Sequence, residues 1–545
     1  MGSEQESAAT PCPMNAPSSN CPPPEDLQSS WQIAGIIEKS RANGWKEKQM
    51  AYQTALEIHN AHMRLRNALV SFLLLVTATL PLAPWLPGYW HNQQRIGQIL
   101  VFCLCVLAGI LSLRSQRSSA PLLGTGPHNC LAAVLLAGLT SALLAQHTGW
   151  ALAELGLAIL SLALGGTVAA SRRRVGPVLD QALLGTLTLM ISCFLALYFF
   201  LYYWQVTQTG ALNAYKLLWG FSNPRFLAQF LALALPVIVW PLLRDETSRR
   251  EKLLVSVIAA LGWTLAITSA ARGLALGMAV AMVWLSLSGS VGRRWSLLQL
   301  RSAALGLLIY LLMLSAIPAW LGIEVTEHAA NRLHTSLSSR DILWPLALEM
   351  IQQKPWLGFG PMHFSAHFNV VAAHPHQAIL QIASEWGIPV AIIVIGLVFL
   401  AARATFRMLR KTADSRDPTD TLRVCLAGGI TTALTLAMVD GILVMPHVEL
   451  WLAIIAGWLL GLHPATTAPA TRSLILRRGW LLTQTLAAVF LAGIVFRDLP
   501  ALAMQTEEYS QTFKSHLQPR FWQQGVIDDL DGALKIQQEH RQRNQ

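Results

Sequence analysis

The chain has 545 residues, of which 53% are hydrophobic and 13% charged, and its mean hydropathy is +0.44. Soluble chains carry about 25% charge, so a cytosolic enzyme, a disordered protein and a secreted disulfide scaffold are all excluded. The net charge of +11 comes from 40 Lys and Arg against 29 Asp and Glu, and in an apolar chain such an excess sets membrane orientation rather than nucleic-acid binding.

The first 66 residues read as a tail. A Ser-, Pro- and Asn-rich opening with Pro22-Pro23-Pro24 gives way to a helical pattern from about Trp31 to Arg66. Apolar runs near the length that crosses a bilayer then recur to the end of the chain. They predict thirteen spans: 67–89, 96–113, 129–147, 149–170, 180–206, 226–243, 253–271, 273–291, 302–322, 386–403, 424–445, 448–462 and 479–496. The third and fourth form a tight hairpin around Gly149. The expected fold is therefore an all-α polytopic membrane protein with 12 to 13 transmembrane helices.

Alternate short loops hold 21 Lys and Arg residues, whereas the loops of the other side hold only Arg95, Lys216, Arg225 and Arg272. The basic side faces the cytoplasm, which puts the amino end inside. The one long loop, 323–385, and the tail 497–545 are then outside. Long loops are usually functional. The seven cysteines show no CxxC or Cys/His spacing, so neither a disulfide framework nor a metal site is expected.

The long loop carries a predicted helix from about Ser339 to Gln353. Pro355-Trp356-Leu357-Gly358-Phe359-Gly360 follows, then His374-Pro375-His376-Gln377 and a helix over 378–387. Histidine titrates nearest neutrality, so this pair is a candidate general base; the plain alternative is a hydrogen-bonded loop residue that caps the next helix. Arg272 is squeezed between two spans, Arg225 opens another, and Arg340 begins the loop helix. Three guanidinium forks on one side match the oxygens of a diphosphate. Asp440, near the end of the 424–445 span, is placed to pair with an arginine or orient a histidine. Glu154 lies alone in its span, neutral or bonded to backbone.

Taken together, Arg340, Trp344, Pro355–Gly360, His374-Pro375-His376-Gln377, Leu380 and Glu385-Trp386-Gly387 resemble the O-antigen ligase superfamily, as do Ser269-Ala270-Ala271-Arg272-Gly273, Asn223-Pro224-Arg225-Phe226 and Asp440-Gly441. The likeness covers roughly 215–462. That superfamily comprises lipopolysaccharide O-antigen ligases, O-linked protein oligosaccharyltransferases and O-antigen polymerases. Gln377 departs from it, because the family usually has Asn after the key histidine.

The resemblance implies an inverting, metal-independent glycosyltransferase of the bacterial inner membrane with no cofactor. Its donor would be a glycan on undecaprenyl diphosphate, and its acceptor lipid A-core, a pilin-like protein or a growing glycan. The catalytic residues would be His376, Arg272 and Arg340, with substrate held by Arg225, His374, Gln377 and Asp440; the partners are lipids and glycans, not nucleic acid. From another class, a transporter or flippase for an anionic lipid uses the same arginines and needs no base. The tail aromatics Tyr509, Phe513, Phe521 and Trp522 suit either a protein acceptor or a surface amphipathic helix, the latter preferred.

Overall fold

A helix that must hide its backbone from lipid does so by satisfying every amide internally, and the apolar runs above have done that throughout. The computed structural model describes residues 77, 89–112, 123–326, 339–367, 369, 371–464, 474–513 and 517–527. The compact unit formed by Leu69–Leu111 and Ser118–Gln545 carries everything described below. The expected tail 1–66, nearly all of the first span, and the histidines His328 and His334 lie outside the described residues.

The elements in chain order are α1 (Trp90–Ser112), α2 (Thr125–Leu143), α3 (Thr148–Val175), α4 (Pro177–Trp204), β1 (Ala211–Asn213), α5 (Pro224–Ile238), α6 (Trp240–Leu243), α7 (Arg249–Thr268), α8 (Arg272–Ser286), α9 (Ser290–Leu311) and α10 (Ile317–Leu321). They continue with β2 (Glu324–Thr326), α11 (Arg340–Gln353), α12 (Ala378–Trp386), α13 (Ile388–Lys411), α14 (Pro418–Ala437), α15 (Pro446–Leu462) and α16 (Leu474–Thr512). Among the described residues nine helical stretches are long and apolar enough to cross a membrane, and α8 and α15 are shorter apolar helices. This is an all-α polytopic membrane protein. Each predicted span after the first falls on a helix.

The boundaries differ where local chemistry intervenes. The 226–243 span breaks at Val239 into α5 and α6. The carbonyls left free near that break are taken up by side chains of α9: Trp295 Nε1 donates to Pro236 O at 2.9 Å and Gln299 Nε2 to Leu235 O at 3.0 Å. The 424–445 span stops at Ala437, which leaves Asp440 in a turn. The last helix continues past 496 to Thr512. The only strands among the described residues, β1 and β2, pair in parallel, Ala211 opposite Glu324.

The core is organised around α5. Its Phe230, Leu231, Ala232, Leu233 and Leu235 are all fully buried, as expected of a helix that is apolar on every side. Small residues let helices close in on one another. A methyl on Gly457 of α15 would strike the backbone of Gly165 in α3, and one on Gly277 of α8 would meet the Thr432 carbonyl of α14 at 2.7 Å.

Two expectations are corrected here. Glu154 does not stand alone or on backbone: its Oε1 lies 2.9 Å from the Arg520 guanidinium. Nor is the tail an aromatic docking strip, and among the described residues only its first part, up to Thr512, is the expected amphipathic helix, buried on the face of Leu502, Thr506, Tyr509 and Phe513. Tyr509, Phe513, Phe521 and Trp522 are all buried, and after α16 the segment 517–527 runs without regular helix through the protein interior. Sequence patterning missed this because an irregular buried strap has no hydrophobic period.

Candidate active site

Each candidate arginine stands in the first turn of a helix. Pro224 occupies the opening position of α5, where its missing N–H costs nothing, and Asn223 caps the helix by accepting from the Arg225 amide at 3.0 Å. Arg272 is the first residue of α8 and Arg340 the first of α11. A helix N-terminus carries partial positive charge, so arginines there are repelled by their own helices. Three such starts in one place make a strongly anion-attracting region.

Backbone strain coincides with these positions. Among the described residues only Ala270 (φ 53°), Ser339 (φ 60°), Met362 (φ 70°) and His376 (φ 54°) are non-glycine residues in left-handed conformation. One immediately precedes Arg340, another lies two residues before Arg272, and a third is His376 itself. Such conformations cost on the order of 1–3 kcal/mol each and cluster at functional sites.

The histidine loop is folded from both sides. Gly358 and Gly360 have positive φ, and a methyl on Gly358 would collide with the Glu385 backbone. This close approach lets Phe359 N donate to Ser384 O at 3.0 Å and Gly360 N to Glu385 O at 2.9 Å, laying the loop along α12. Asn369 Oδ1 accepts from the amides of Val371 and Ala372, both at 2.9 Å, and forms the turn before the histidines.

His374 is buried, and its ring meets that of His376 edge-on with centroids 4.3 Å apart. Its Nδ1 accepts from the His376 amide at 3.4 Å. Burial, then the charges of His376, Arg520 and His91, hold the His374 imidazole well below its ordinary pKa. It is therefore a neutral support behind His376. Gln377 Oε1 accepts from Leu380 N at 2.5 Å and caps α12. The longer side chain thus does what a short polar cap does elsewhere.

His376 Nδ1 lies 3.6 Å from Asp440 Oδ1, with about a fifth of each side chain exposed. The pair is close but beyond hydrogen-bond distance, and catalytic contacts of this kind commonly tighten once substrate is bound. Burial alone would raise the Asp440 carboxyl. The His376 imidazole, the Gly441 amide (2.8 Å) and the Gln229 side chain outweigh it and hold the carboxyl below its usual value. Arg340 Nη2 donates to the carbonyl of Val439, the residue before Asp440. Burial pulls the Arg340 guanidinium below its ordinary pKa; Asp440 opposes this, while Arg225 and Arg272 push it further down. Arg340 thus lies within electrostatic reach of Arg225, Arg272 and Asp440, the last of which faces His376.

Of the residues expected from sequence, Arg225, Arg272, Arg340, Asp440 and His376 come together. His374 stands behind this group, and Gln377 uses its amide oxygen inside the protein. Gln229 was not foreseen. It is fully buried on α5, makes no hydrogen bond of its own among the described residues, and lies close enough to Asp440 to help hold its carboxyl low. The available signal was its position one turn after Arg225, on the same helix face. Among the described residues no three His, Cys, Asp or Glu side chains gather as a metal-binding group.

Two consequences are measurable. The Asp440 carboxyl has a folded pKa below its reference value of 3.8. Its contribution to stability is therefore complete above that value and is lost as pH falls through the lower folded one. Melting temperatures of the wild type and Asp440→Asn should converge on acidification below about pH 4; a gap that stays constant down to pH 2 would refute the pairing. At Gly441 an added methyl would overlap the His374 imidazole. Overpacking of this kind costs about 1–3 kcal/mol. Gly441→Ala should lower thermal stability accordingly and displace the histidine loop, whereas an unchanged melting temperature would mean that the close approach is not real.

The fold and the site define a multi-pass membrane protein that gathers cations around a histidine–carboxylate pair, an arrangement able to take up a proton while an anion is held. Residues 255–395 match the O-Antigen ligase family, and this segment belongs to it. The match includes Arg272, Arg340, His374, His376 and Gln377; Arg225 and Asp440 join from outside. This match supports an O-antigen ligase or polymerase type of membrane glycosyltransferase for the segment that carries most of the site. No curated protein matches it significantly.

Proposed function

We propose that this protein transfers a glycan from undecaprenyl diphosphate to an acceptor hydroxyl at the periplasmic face of the bacterial inner membrane, with lipid A-core as the favoured acceptor. The observation that carries the reading is the meeting of Arg225, Arg272 and Arg340 with the His376–Asp440 pair. The orientation rests on the basic loops, which the positive-inside rule assigns to the cytoplasm.

In the reaction, the acceptor O–H proton passes to the His376 imidazole as the oxygen attacks the anomeric carbon. The bond from that carbon to the diphosphate oxygen breaks, and its electron pair leaves on the diphosphate. Attack opposite the leaving group inverts the anomeric centre. Asp440 steadies the imidazolium. The three guanidiniums, fixed before the reaction, stabilise the charge that develops on the leaving oxygen, the part a divalent cation plays in other diphosphate enzymes. Neutral His374 and the Gln377 cap hold the loop so that His376 keeps its strained backbone.

A lipid flippase needs the cations but not the imidazole–carboxylate pair, and that pair favours transfer. The test is purified full-length protein given a defined lipid-linked donor with lipid A-core, a pilin-like protein or a second lipid-linked glycan. Product on lipid A-core supports the ligase. Product only on protein or on glycan moves the assignment to an oligosaccharyltransferase or a polymerase. Movement of donor across vesicles without transfer would overturn the enzyme reading.

A further inference from the structure

Arg520 lies far from the matched family segment in sequence, yet its side chain is fully buried. Its Nη2 is 2.7 Å from Glu385 Oε2 and 2.9 Å from Glu154 Oε1. Its Nη1 donates to Ala373 O at 3.3 Å. With its amide turned to the satisfied orientation, Gln381 accepts from both guanidinium nitrogens, at 3.2 and 3.1 Å. The backbone is held as well: Arg520 O accepts from Arg95 Nη2 at 2.9 Å and from His91 Nε2 at 3.0 Å.

These partners define what the residue grips. Ala373 is the residue before His374. Glu385 lies in the last turn of α12, the helix that begins directly after His376-Gln377, and its other oxygen accepts from Phe364 N at 3.0 Å. One guanidinium therefore ties down both ends of the segment that displays His376. The same strap continues this role. Gln518 Nε2 donates to Asn369 O at 2.6 Å, and Gln523 Oε1 accepts from Ser222 Oγ at 2.8 Å, in the turn that leads to Arg225. Burying three charges is expensive, and such clusters are often replaceable by apolar packing without loss of stability. Geometry is what apolar packing would not supply, since a fixed planar fork meets several acceptors at set angles.

We propose that Arg520, carried by the C-terminal strap 517–527, is a positioning residue that sets the His376 segment against Asp440 and the arginines. The inference deepens the transferase reading and rests on it for its kinetic consequence. Its structural consequence stands independently.

The test uses purified full-length wild type, Arg520→Ala, Arg520→Lys and, as a reference, His376→Ala. Amide exchange is measured across the protein, and kcat and donor KM with a lipid-linked glycan. In Arg520→Ala, exchange should rise within 364–385 and stay unchanged in α5, α7 and α8. Its kcat should fall about 100-fold, the effect of ångström-scale misplacement, with donor KM within about threefold because the arginines are untouched. Arg520→Lys, which keeps the charge but not the fork, should recover part of both. His376→Ala should lose transfer with wild-type exchange.

Unaltered exchange in 364–385 overturns the proposal. So does a rise spread equally through α5, α7 and α8, which would make Arg520 a general staple. Loosened exchange with a normal kcat also overturns it. If the wild type transfers no glycan, the transferase reading fails, and the exchange pattern still decides whether Arg520 positions the loop.

Discussion

His376→Ala is expected to lower glycan transfer about 10²- to 10⁴-fold, the span attributed to a positioned general base, while donor binding persists. The two effects separate because the base and the cations come from different elements. His376 precedes α12, whereas Arg225, Arg272 and Arg340 open α5, α8 and α11. Measured on purified protein, transfer at the wild-type rate would remove His376 from the mechanism. A sharper form of the experiment uses the backbone. At φ 54° a histidine is strained, and asparagine tolerates that region better. His376→Asn should therefore melt at or above the wild-type temperature while transfer collapses. A variant that gains stability and loses activity would show that strain is retained for the reaction, whereas a variant that unfolds would assign His376 to the fold.

Replacement of Arg340 should be nearly as damaging. Loss of one preorganised donor to a developing oxyanion costs about 10²- to 10³-fold in kcat, and that is the range expected for Arg340→Ala. Arg340→Lys should recover little. An ammonium cannot reproduce a fork that meets the Val439 carbonyl and still presents N–H groups to a diphosphate. Arg272→Lys should also lose rate, although Arg272 is the more exposed of the two. The discriminating measurement is the response to donor chemistry. A diphosphate-linked donor should be penalised heavily in these variants, and binding of a neutral polyprenol should be unaffected. Equal effects on both lipids would place the arginines in the fold instead of at the phosphates.

The predictions share one electrostatic logic. Arginines in first helical turns and a strained histidine backed by a buried neutral one work against local stability, and the paired Asp440 carboxylate offsets part of that cost. Natural sequences relax local rules mainly where function requires it. The surroundings bear out that pattern: the spans themselves follow the ordinary rules, with small residues at tight crossings and apolar faces outward.

Much of this was open to reading along the chain. Hydropathy alone specifies the spans, because lipid enforces one backbone solution and leaves a period that can be counted. The arginine and histidine candidates were also legible, since an ionisable group at the mouth of an apolar bundle is conspicuous. What the residues form together was not. Arg225, Arg272, Arg340, His376 and Asp440 are spread over more than two hundred positions, and only the packing of α8 against α14 and of the loop against α12 brings them together. Gln229 looks like one more residue of an apolar helix until α5 turns it toward Asp440. Gln377 reads as an altered family residue until its carbonyl is seen to cap a helix. Glu154 and Arg520 are 366 residues apart and carry no shared period or spacing. A long-range ion pair is a property of the fold alone: burial makes its partners necessary to each other, and nothing local in the chain records which partner each will meet.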